Sequence, residues 1–126
     1  MEIPLADRGD YYRGLLVLIR RDRIISERER EAMLRLGERL DFDRRFCENA
    51  IDELLNNPHI TRKPVRFSEK STAESFLHEA VILAFVDGEL HPKVLAWLKR
   101  VARANGLDDQ WLAAEIQKGS RSENKD

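Results

Sequence analysis

Cysteine, clustered glycine and long apolar runs are what this sequence lacks, and each absence removes a class of function. The single cysteine, Cys47, excludes an intrachain disulfide framework and a thiolate zinc cluster. It falls on the apolar side of an expected helix, where a thiol acts as a small buried hydrophobe. The glycines are isolated, so no phosphate-cradling loop is formed. A nucleophile elbow and an oxyanion-hole glycine motif are missing as well. The longest apolar run, AVILAFV (80–86), is far too short to span a bilayer. The opening residues MEIPLADRGD hold no basic region followed by a long apolar stretch. The expectation is a cytoplasmic protein without a transmembrane segment.

What is there suits one globular domain. The 126 residues are enough for a single core without staples. Apolar residues make up 42% and charged residues 36%, which implies a densely charged surface around that core. The 22 basic and 23 acidic residues are spread evenly: residues 1–65 hold 13 of each. Neither half is a basic arm or an acidic tail, so bulk charge makes no case for nucleic acid.

Sliding the sequence against itself by 65 residues brings out a repeat. Leu18 meets Leu83, Asp22 meets Asp87, Arg35 meets Arg100, Asp43 meets Asp108 and Ile51 meets Ile116. Conservative pairs extend the match: Met33 falls on Leu98, Leu36 on Val101, Phe42 on Leu107 and Phe46 on Trp111. The apolar phase persists without a gap, which reads as an internal duplication.

Each copy reads as three helices. The stretches 11–19 and 76–86 are apolar nearly all round, which puts them at the centre, packed across a pseudo-twofold axis. Ser71 to Glu74 has the spacing of a capping box before the second of these. Ser26 and Glu29 have the same spacing before the next helix of the first copy, and His91-Pro92 starts its counterpart. Asp43 and Asp108 are N-cap residues for the third helices, whose inner faces take Phe46, Ala50, Ile51, Leu54 and Trp111, Leu112, Ile116. Trp97 lies beside the apolar stripe of its helix, as a half-buried packing residue or a partner anchor. The expected architecture is an all-α, single-domain helical bundle of two pseudo-twofold-related three-helix repeats. The repeats cover about 8–55 and 72–117, with a linker over 56–70 and a polar tail over 118–126.

The connections between first and second helices, RRDRIISERE and FVDGELHPKV, are the places that could carry chemistry. Asp22 and Asp87 end the preceding helices, and Ile25 and Leu90 tuck into the core. An apolar helix, a D-G-x-hydrophobic-x-x-x-E turn and an amphipathic helix ending in ANGLDD resemble the TerB-like domains. These are known from tellurite-resistance proteins and from membrane-anchored co-chaperones related to DnaJ. The resemblance covers residues 10–117 and implies an all-helical fold in two repeated halves. It also implies a cation-responsive scaffold in bacterial stress or envelope-associated complexes, peripheral to the inner membrane through a partner, and not an enzyme. The motif's acids carry over onto Asp22 and Glu29, and onto Asp87 with Glu89 beside it. Arg23 stands where the motif has glycine, and Val94 where it has glutamate, so neither copy is complete.

If the two loops converge, Asp22, Glu29, Asp87 and Glu89 form a candidate site for calcium or magnesium, which want several oxygen ligands. A zinc reading would use His91 with Asp87 or Glu89, and His78 only if the chain folds back. The plainer reading makes the aspartates turn formers, Glu29 a capping acid and His91 a cap. The leading expectation is a non-enzymatic scaffold with a protein partner, or a homodimer. The alternatives are a metal-dependent enzyme using the same acids and a nucleic-acid-binding module. The last would use the Arg20–Arg30 segment, whose arginines alternate with acids in the manner of an ion-paired solvated face.

Overall fold

The computed structural model describes residues 3–19, 25–56, 63–86 and 90–123. These form an all-helical bundle: α1 (Leu5–Ile19), α2 (Glu27–Arg39), α3 (Arg44–Asn56), α4 (Lys70–Ala84), α5 (Pro92–Ala104) and α6 (Asp109–Glu123). Among the described residues there is no strand.

The two helices that are apolar all round take the centre. α1 buries Tyr11, Tyr12, Leu15, Leu16, Leu18 and Ile19, and α4 buries Phe76, Leu77, Ala80, Val81, Leu83 and Ala84. They pack on each other; α1 also packs on α2 and α3, and α4 on α5 and α6. Each large apolar side chain moved from water to this core contributes roughly 1.5–3 kcal/mol before the cost of ordering it. The outer helices are one-sided. Met33, Leu34, Leu36 and Gly37 make the buried face of α2, and Val94, Trp97, Leu98, Val101 and Ala102 that of α5.

Every helix start recurs 65 residues later: Leu5 and Lys70, Glu27 and Pro92, Arg44 and Asp109. The turns do so too. After α2, Phe42 N–H donates to Gly37 O and Asp41 N–H to Glu38 O; after α5, Leu107 N–H donates to Ala102 O and Gly106 N–H to Arg103 O. Both are Schellman closures, and their left-handed residues are Asp41 (φ 65°) and Gly106 (φ 76°).

The expected caps form at three helix starts. Ser26 Oγ accepts from Glu29 N–H while Glu29 Oε1 accepts from Ser26 N–H, each at 3.1 Å. His91 Nδ1 accepts from Lys93 N–H, with Pro92 at the first helical position. Asp108 Oδ1 accepts from Trp111 N–H at 2.8 Å. The capping box expected at Ser71–Glu74 does not form. α4 starts two residues earlier, with Glu69 at the cap position, and Ser71 Oγ donates instead to Glu69 Oε2. The chain just ahead is tied down at Ser68 by Asp7, which sets where the helix begins.

Three other expectations are corrected. Phe46 is 55% exposed, because Cys47 and Ile51, four apart, hold the inward line of α3. Its ring leans on Phe42, 5.3 Å away. Trp97 is buried, not half-buried, its ring 6.2 Å from Phe76 in an edge-on arrangement. The polar tail expected from Lys118 is helical as far as Glu123, and buried Gly119 lies where a Cβ would overlap Val81.

The segment 63–69 ahead of α4 is non-helical but bound to the core. Asn105 accepts from Phe67 N–H at 3.0 Å and donates to Val65 O at 2.8 Å, so one amide holds two points of the extended backbone. Phe67 then packs between Tyr11 and Phe76.

Candidate functional site

Of the acids expected to gather around a cation, Asp22, Asp87 and Glu89 lie outside the described residues. Glu29 is buried, with Oε1 turned back onto the Ser26 amide as a capping group. Among the described residues no cluster of three or more histidine, cysteine or acidic side chains is placed to hold a metal. The connections holding these acids are bordered by a contact between the halves: Arg28 donates to Val86 O at 3.3 Å. Ile25 and Leu90 pack on the core as the repeat pattern requires.

His78 and His91 are far from a shared task. His91 caps α5, whereas His78 Nδ1 lies 2.9 Å from Glu115 Oε2 on α6, with Lys118 Nζ 3.6 Å from the other carboxylate oxygen. Arg30 pairs with Asp52 of α3 at 3.6 Å. Thus Arg28 and Arg30, two members of the arginine-rich segment, hold this chain together.

Two buried phenol groups sit on α1. Tyr12 Oη donates to Met33 O at 3.0 Å. Burial pushes its ionisation far upward, and neighbouring Cys47 adds to the shift. The Tyr11 hydroxyl is pushed up to about 12, chiefly by burial; Ser75 opposes the shift and Glu79 favours it. It faces Ser75 without the geometry of a hydrogen bond. Cys47 is buried against Gly37, as a structural thiol should be.

A cleft of roughly 570 Å³ lies between α1, α2 and α4. Its floor is apolar: Leu15 from α1, Met33 and Leu36 from α2, Leu83 from α4. Ala32 stands on one wall, Ile82 and Val86 on the other, and Ile82 is 42% exposed. Arg35, Glu38, Arg39 and Glu79 ring the mouth, and Arg39 reaches across to Glu79 at 3.4 Å. Chemically the groove has an apolar base and a charged edge. The α2 and α4 residues follow from helical spacing. That the two helices leave a gap depends on how they are set apart, which no local pattern encodes.

Compared with protein-family models, with curated proteins and with solved structures, the chain shows no match. No described helix is long and apolar enough to cross a membrane.

Proposed function

We propose that this chain is a non-enzymatic, TerB-like interaction module: a three-helix unit in two copies, related by a pseudo-twofold through the α1–α4 contact. It serves as a scaffold for a protein partner in bacterial stress or envelope-associated physiology. The coincidence of helix starts, Schellman turns and buried positions at a 65-residue offset supports the duplication. The observation that carries the interaction role is the α1–α2–α4 cleft, where apolar Ile82 stays exposed beside a charged rim. A surface of that make-up gains free energy when a partner covers it.

The test is genetic. Removing the protein from its host should raise sensitivity to tellurite or envelope stress, and the wild-type chain should restore it. Ile82→Glu changes an exposed position, so it should leave the melting temperature in place and fail to restore. Full restoration by that variant would remove the cleft from the function.

A further inference from the structure

We infer that the cleft receives the large aromatic side chain of an amphipathic helix on a partner protein, with an acid and a base one turn apart beside that residue. The inference rests on reading the chain as a duplicated interaction module, and the second half supplies the template.

At the 65-residue offset, the wall residue Ala32 corresponds to Trp97, while the floor residues Met33 and Leu36 correspond to Leu98 and Val101. Leu98 and Val101 are as buried as their counterparts, so the two floors are alike. The walls are not. Where the first half has a methyl group beside open space, the second has an indole packed edge-on against Phe76. The mouth differs in the same sense. Glu79 corresponds to Gly14, and a Cβ on Gly14 would overlap the Phe76 ring and stand 3.4 Å from Val65 of the bound segment. Trp97 and Val65, with Phe67 alongside, therefore close in the second half what stands open in the first. Asn105 holds that closure in place, and its counterpart is Leu40, which has no amide with which to hold a strand. An occupant of the first cleft must bring its own backbone order, as a helix does.

The rim states the charge of the occupant. Arg39 is taken by Glu79, and neither Arg35 nor Glu38 makes a salt bridge with a described residue. The pair stands three apart on the exposed side of α2, a cation and an anion one turn from each other. Its complement is an acid and a base one turn apart, and the aromatic between them reaches the vacant indole position. The guanidinium of Arg35 suits a carboxylate in fork geometry.

The test uses the full chain labelled with ¹⁵N and an alanine-based helical peptide carrying one tryptophan, with glutamate three residues before it and lysine one after, so that the charges stand one turn apart on one side of the helix. Saturable shifts should gather on the amides of Ala32, Leu36, Ile82 and Val86. Replacing the peptide tryptophan by alanine should weaken binding at least about tenfold, or 1.4 kcal/mol. Replacing both peptide charges by glutamine should weaken it and flatten its salt dependence. Ala32→Trp should abolish binding without lowering the melting temperature, because the protein then fills its own cleft; Ile82→Glu serves as a second variant if that one misfolds. No saturable shift at millimolar peptide, or equal affinity in both variants, overturns the inference. Loss of stress tolerance in Ile82→Glu without peptide binding overturns the aromatic anchor and leaves the scaffold reading standing. Self-association of the peptide-free chain, seen by sedimentation and lost in Ala32→Trp, assigns the cleft to a second copy and overturns the partner.

Discussion

The carboxylate of Asp7 takes two hydrogen bonds from Ser68, one from its hydroxyl at 2.7 Å and one from its backbone N–H at 3.2 Å. Asp7 is buried in the first turn of α1, and Ser68 closes the segment that leads into α4. The pair ties the starts of the two central helices together. Asp7→Ala releases the N–H and hydroxyl of exposed Ser68 to water, at a cost of about 0.5–1.5 kcal/mol for each bond lost. Asp7→Asn keeps one acceptor oxygen and should lose less. Denaturant unfolding of both variants checks the order.

Gly37 and Cys47 are in contact where α2 crosses α3, and a Cβ on Gly37 would overlap the sulfur. Gly37→Ala should therefore destabilise by about 1–3 kcal/mol, despite alanine's better helix propensity. Cys47→Ala clears the space at the expense of a small void. The double variant should be more stable than the sum of the singles predicts, and a thermodynamic cycle measures that coupling.

Alkaline pH should unfold this protein through its tyrosines. The chain has two, Tyr11 and Tyr12, and burial raises both above the usual value of 10, Tyr11 to about 12. A proton held more tightly in the folded state means that the unfolded state ionises first. Stability is fully present below pH 10 and falls as pH rises through the folded value. The expected sign is a melting temperature that drops from pH 10 toward 12, with tyrosinate absorbance appearing together with unfolding. Tyr11→Phe should flatten the fall and cost little at neutral pH, since its hydroxyl makes no hydrogen bond in the fold.

Asp41 adopts the left-handed conformation that Gly106 adopts at the equivalent turn. Side chains there cost up to about 1–2 kcal/mol, less for aspartate. Asp41→Gly should stabilise by about 0.5 kcal/mol, reduced by loss of the Arg8–Asp41 contact at 3.4 Å. Gly106→Ala should destabilise by about 1 kcal/mol. Thermal melts of the two should shift in opposite directions.

Local rules carried the sequence reading a long way. The apolar centre, the Ser26, His91 and Asp108 caps and the burial of Cys47 depend on neighbours a few residues apart, and the 65-residue repeat makes each half a check on the other. The misses depend on distant partners. Ser71 has good capping chemistry, but Ser68 is already held by a residue 61 positions away. Phe46 is as apolar as a core residue, and only the line from Cys47 to Ile51 turns it outward. Asn105 looks like a helix-end residue until Val65 and Phe67 arrive beside it. The cleft depends on the separation of α2 and α4, so it was invisible as such. Even so, the mismatch of Ala32 with Trp97 in the repeat was a readable sign of it.

The central placement of α1 and α4 sets how the molecule comes apart. Each triplet finishes its core with the other's first helix, so neither half retains a closed interior when they separate. Unfolding should then be a single concerted event, with the amides of both central helices exchanging at the rate of whole-molecule opening. Two sets of three helices thus make one indivisible unit.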